Sequence, residues 1–84
     1  MGIEDLPGEG VELYPNPSTT FITLRFTGAA SRDLFLYNGH GTLIDRFQND
    51  TAEFSLDVST SPRGIYLIKI VEGRQVAWKK VIID

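Results

Sequence analysis

The sequence contains no cysteine, one histidine, one methionine and one tryptophan in 84 residues. Without cysteine, a disulfide framework and thiolate metal sites are excluded, while the redox compartment stays open. No stretch approaches the roughly 20 apolar residues needed to cross a bilayer, so no membrane span is expected. No segment sustains a 3.6-residue period, so no helix is expected either. With the helix goes any glycine-rich phosphate loop joining a strand to a helix. Repeats and low-complexity tracts are also lacking.

What is present is ordinary globular material, 42% hydrophobic and 23% charged, which predicts one small domain. Valine, isoleucine, threonine and the aromatics make up about a third of the chain, and such side chains pack well on a pleated surface. A chain of this length buries only about 60% of its unfolded surface, so its core must be economical. The net charge of −3 is uneven. Residues 1–24 carry four acids and no base, whereas residues 63–84 carry Arg63, Lys69, Arg74, Lys79 and Lys80 against Glu72 and Asp84. A basic end can steer a partner, or simply form the solvated face of a strand. The bases sit among aliphatics without clustering in an acidic chain, so nucleic acid is not an expected partner.

Turn signals recur at short, regular intervals. Val11–Tyr14 is a short strand stopped by Pro15-Asn16-Pro17-Ser18, where two prolines forbid ladder donation. Phe21–Phe26 alternates, with Ile22, Leu24 and Phe26 on one face and Thr23 and Arg25 on the other. Residues 33–37 are more uniformly apolar, as in a strand covered on both faces or wrapped by a loop. Asn38-Gly39-His40-Gly41 then turns the chain into residues 42–47. Residues 54–58, 65–71 and 76–83 complete the set, the last two joined through Glu72-Gly73. Seven strands at about 10-residue spacing predict an antiparallel β-sandwich.

Catalytic chemistry finds little support. His40 is the lone histidine, set between glycines at a hairpin tip, and no positioned nucleophile can be paired with it. One histidine without cysteine cannot anchor zinc. Calcium has Asp50 and Glu53 as loop ligands but lacks the Asp-x-Asp-x-Asp-Gly spacing that would specify it. No metal or other cofactor is therefore expected. Asn49-Asp50-Thr51 fits the N-glycosylation pattern, as surface turns often do by chance. Trp78, Tyr37 and Tyr14 allow a competing reading as a carbohydrate-binding or adhesive module, provided aromatics share an exposed face.

The order of motifs is more informative. Leu13-Tyr14-Pro15-Asn16-Pro17 is followed by Leu36-Tyr37-Asn38, Gly41 and Leu43-Ile44, then by Phe54-Ser55-Leu56-Asp57-Val58. Pro62-Arg63-Gly64-Ile65-Tyr66-Leu67-Ile68 comes next, and Lys79-Lys80-Val81-Ile82-Ile83 ends the series. Each motif alone is weak, but together and in this order they resemble the type IX secretion system C-terminal sorting domain, type A. The pattern usually has Asp at the position of Asn38 and often Lys at that of His40.

The resemblance implies a seven-stranded, Ig-like sandwich over residues 11–84, at the end of a larger exported protein of certain Gram-negative bacteria. It also implies recognition in the periplasm by the outer-membrane translocon. Removal by a sortase-like surface protease would follow, leaving the cargo at the cell surface or outside the cell. The domain would be a substrate, not an enzyme. Residues 1–10, acidic and lacking the basic and apolar regions of a secretory signal, are expected to be a linker to the missing cargo. Met1-Gly2 reads as an appended start, with an export signal expected upstream in a longer parent. Lys79, Lys80, Val81, Ile82 and Ile83 are the expected recognition element, with charge for steering and aliphatics for anchoring. Tyr14, Pro15, Asn16, Pro17, Gly64 and Tyr66 are expected to serve the architecture.

Overall fold

The computed structural model describes residues 11–15 and 20–84. Within them the chain forms β1 (Val11–Tyr14), β2 (Phe21–Phe26), β3 (Arg32–Tyr37), β4 (Leu43–Asn49), β5 (Glu53–Asp57), β6 (Gly64–Glu72) and β7 (Gln75–Ile83), with no helix. All pairings are antiparallel, in a three-stranded sheet β1-β2-β5 and a four-stranded sheet β4-β3-β6-β7. Neighbours in sequence pair as β1 with β2, β3 with β4 and β6 with β7. The β2–β5 and β3–β6 pairs join strands distant in sequence, which is the Greek-key wiring of Ig-like sandwiches. The expected fold is thus the observed one.

Period-2 alternation decides what lies between the sheets. Ile22, Leu24 and Phe26 of β2 face Leu34, Leu36, Ile68, Ile70 and Val81 of the other sheet, all of them buried. Each such aliphatic contributes about 1.5–3 kcal/mol through removal from water. The seam between β4 and β5 is closed by Phe47 against Phe54, ring centroids 5.3 Å apart, and it leaves no space for a water molecule.

Boundaries differ from the sequence reading by one or two residues in β3 to β7, with β4 running over Leu43–Asn49 rather than 42–47, β5 starting at Glu53 and β7 at Gln75. β3 begins at Arg32, β6 extends over Gly64 and Glu72, and β5 ends at Asp57 rather than Val58. Val58 still enters the core, and its amide donates to the Thr20 carbonyl at 2.8 Å instead of to a ladder partner. A register shift between Leu36 and Tyr37 marks a bulge just before the β3–β4 turn. There the Asn38 side-chain oxygen accepts from the amides of His40 (2.9 Å) and Thr42 (3.0 Å). An aspartate oxygen would accept the same two bonds, so the departure from the family pattern at this position leaves the turn intact.

Candidate recognition surface

Alternation along β7 splits the terminal motif in two. Val81 and Ile83 point into the core, at 0% and 3% exposure, and are structural side chains. Lys79 shares their side of the strand and is half-buried. Lys80 and Ile82 point to the outer face and are exposed. Of the five residues grouped by sequence, the pair at 80 and 82 therefore meets solvent on one face.

The β6–β7 register brings a second motif alongside. Gly64 pairs with Ile83, Ile65 with Ile82, Tyr66 with Val81 and Leu67 with Lys80. Gly64 has φ +149°, where L side chains are strained, and a Cβ there would meet nothing within 4 Å. Backbone conformation, not crowding, is what glycine supplies. Tyr66 buries its ring, and its hydroxyl donates to the Pro62 carbonyl at 2.5 Å, tying the preceding loop to the strand. Gly64 and Tyr66 lie on β6, the strand paired with the one that carries Lys80 and Ile82.

The tyrosine-proline motif lies on the other sheet. Tyr14 is partly exposed, its hydroxyl donates to Glu53 at 3.3 Å, and the Arg25 guanidinium sits 5.6 Å from its ring centre. The Tyr14–Pro15 peptide is cis. Asn16 and Pro17 lie outside the described residues, as do residues 1–10.

His40 is exposed and lines an open groove of about 440 Å³ with Gly39, Ile44, Arg63, Ile65 and Tyr66. The lining includes no serine, threonine or carboxylate, so nothing there sets up a nucleophile beside the imidazole. Among the described residues no three histidine or carboxylate side chains converge to hold a metal ion. Asn49 and Thr51 are engaged with each other: the Asn49 amide donates to the Thr51 carbonyl, and the Thr51 hydroxyl donates to Asn49 and to the Glu53 carbonyl. Asp57 caps its own turn, accepting from the Ser59 amide at 2.9 Å, and this bond together with the Ser59 side chain holds its carboxyl below the usual aspartate range.

Trp78 and Tyr37 do share the outer face of the four-stranded sheet, with centroids 5.7 Å apart and planes tilted by 37°. They pack on each other, and the Lys69 ammonium stands 5.8 Å from the Trp78 ring centre, so neither presents a flat open platform. Tyr14 is on the opposite sheet.

Arg32 is the main residue the sequence reading passed over. It is buried at 5% exposure, donates to Glu72 (2.9 Å) and to the carbonyl of Gly28 (2.8 Å), and lies 4.0 Å over the Phe26 ring. Counting by twos from Leu36 and Leu34 would have placed it inward.

The arrangement defines a class: an Ig-like β-sandwich of a three-stranded and a four-stranded antiparallel sheet. Within that class, the chain belongs to the secretion system C-terminal sorting domain family, which it matches over residues 12–84. This is the type IX sorting signal; the family is not an enzyme family, and its domain marks a protein for secretion to the cell surface through the type IX system. No curated protein matches the chain. Among solved structures it is similar to the CARDB domain of the PF1109 protein of Pyrococcus furiosus, solved in complex with di-metal ions. The identity is 17% and the TM-score 0.39, over 100% of this chain and 97% of that one. Among the described residues no helix is long and apolar enough to cross a membrane.

Proposed function

We propose that residues 11–84 are the sorting domain that carries a larger cargo through the outer-membrane type IX translocon, with residues 1–10 as the link to that cargo. The domain folds in the periplasm, is read there by the translocon, and is removed at the surface by a sortase-like protease. It performs no chemistry of its own. Family membership over residues 12–84 carries this reading. Recognition is assigned to the terminal strand, and within it to Lys80 and Ile82, because Val81 and Ile83 are spent on the core. A carbohydrate-binding role draws less support, since Trp78 and Tyr37 pack on each other and Phe35, on the same face, lies beside the Arg46 and Lys69 cations.

The test is a periplasm-targeted reporter fused ahead of the chain in a host with a type IX system. The fusion should reach the medium or cell surface, and the reporter alone should stay in the periplasm. Deleting residues 80–84 would also remove core side chains, so the sharper variant is Lys80→Gln with Ile82→Ser. Normal export of that folded variant would remove the assignment to these two residues, and failure of the intact fusion to leave the periplasm would remove the sorting role.

A further inference from the structure

The two outer faces of the sandwich are built differently. On the three-stranded sheet, Arg25 lies 3.9 Å from Glu12 and 3.8 Å from Glu53, and Thr23 and Ser55 share a hydrogen bond at 2.9 Å. That face answers its own charges and polar groups. On the four-stranded sheet the register lines up Arg46, Phe35, Lys69 and Trp78 across all four strands. Here the cations sit over rings. Arg46 is 5.5 Å from the Phe35 centre, and Lys69 is 5.4 Å from Phe35 and 5.8 Å from Trp78. Among the described residues neither cation pairs with a carboxylate. Asp33, toward one end of β3, is the one acid in the register rows of this face among the described residues. Half-exposed aliphatics flank the row, with Ile65 and Ile82 toward one end and Val76 toward the other.

An exposed ring attracts a cation by only about 0.5–1 kcal/mol, so these contacts hold Arg46 and Lys69 in place without neutralising them. Held in advance, they lose less freedom when an anion arrives. Aliphatic patches set among charges are the usual mark of a protein-binding surface. A sugar would need an open ring face, and the Trp78 ring packs against Tyr37 with the Lys69 ammonium beside it. We propose that the outer face of β4-β3-β6-β7 docks a protein surface in which carboxylates alternate with aliphatic side chains. This deepens the sorting reading and rests on it, the partner being a subunit of the translocon.

The experiment uses the same reporter fusion, with p-benzoylphenylalanine at Val76 as a photocrosslinker and melting temperature measured in parallel. The double variant Arg46→Glu with Lys69→Glu should lower export about tenfold at unchanged melting temperature and abolish a crosslink to a translocon subunit. Arg46→Lys with Lys69→Arg, which keeps both charges, should export normally. If the double reversal lowers the melting temperature, Arg46→Gln alone, on the exposed edge strand, takes its place and should reduce export about threefold. Export at the level of the intact chain, or a crosslink to lipid or polysaccharide instead of protein, overturns docking on this face while leaving the sorting role standing. Failure of the unsubstituted fusion to be exported overturns both.

Discussion

The Arg32 guanidinium donates from Nε to Glu72 Oε1 at 2.9 Å, linking the first residue of β3 to the last residue of β6. The arginine is buried while its partner is partly exposed, so the two ends of the bridge are not equivalent. Arg32 also reaches the carbonyls of Gly28, Ala30 and Thr51 and covers the Phe26 ring, closing that end of the sandwich. Arg32→Ala should cost about 3 kcal/mol in urea unfolding, through several lost charge-assisted bonds and lost packing. Glu72→Ala, which leaves the arginine its three carbonyls and ring, should cost about 1 kcal/mol. Equal costs would show that the carbonyl and ring contacts contribute nothing. Arg32→Lys should recover little, because a lysine cannot present the same planar fork.

Gly64→Ala isolates backbone strain from crowding. A Cβ at Gly64 meets nothing within 4 Å, yet φ is +149°. The substitution should destabilise by about 1–3 kcal/mol. Gly39→Ala is the contrast: its Cβ would sit 3.2 Å from the Ile65 carbonyl oxygen, a small clash relieved by a slight shift. It should cost less than Gly64→Ala in the same unfolding measurement.

The Tyr66 hydroxyl should be worth about 1 kcal/mol, since it makes one bond, to the Pro62 carbonyl. Tyr66→Phe keeps the buried ring and reports that bond alone, again by equilibrium unfolding. A loss as large as that of a truncated aromatic, about 3–5 kcal/mol, would mean the ring itself had moved.

These residues also show how far the sequence could be read. The fold was legible because strands such as β2 alternate cleanly enough to show which side is dry, as in Ile22, Leu24 and Phe26, and turn signals separate the rest. The division of the terminal motif was latent in the same rule, since Val81 and Ile83 differ from Lys80 and Ile82 by one step of the pleat. Arg32 was overlooked because a charged side chain is presumed to face solvent, and its burial depends on carbonyls contributed by two separate loops. The cation and ring row was illegible for another reason. It joins residues 46, 35, 69 and 78, whose alignment exists only once three strand pairings have fixed their register.

Acid should loosen the turn after β5 in a defined sense. The Asp57 carboxyl is lowered because its charged form accepts from the Ser59 amide and side chain. A group with a depressed folded pKa stabilises the fold above its unfolded value, and that contribution fades as pH falls through the folded one. Asp57→Asn removes the titration but keeps an acceptor. Its unfolding free energy should therefore change less with pH than that of the unsubstituted chain across the interval just below the ordinary aspartate value. Parallel curves for the two proteins would show that the cap is not coupled to folding.

Neighbouring isoleucines on β7 give the most direct check on which side of the strand serves the fold. Ile83 is 3% exposed and packs in the core, whereas Ile82 is 37% exposed on the outer face. Ile83→Ala should cost about 2 kcal/mol or more, from lost transfer energy and the cavity left between the sheets. Ile82→Ala should cost about 0.5–1 kcal/mol, as befits a side chain already half in water. If Ile82 belongs to the recognised surface, its truncation lowers export of the reporter fusion with little change in stability, while Ile83→Ala lowers the two together. Loss of export at position 83 alone, tracking stability, would mean that the terminal strand is read only through the intact fold it completes.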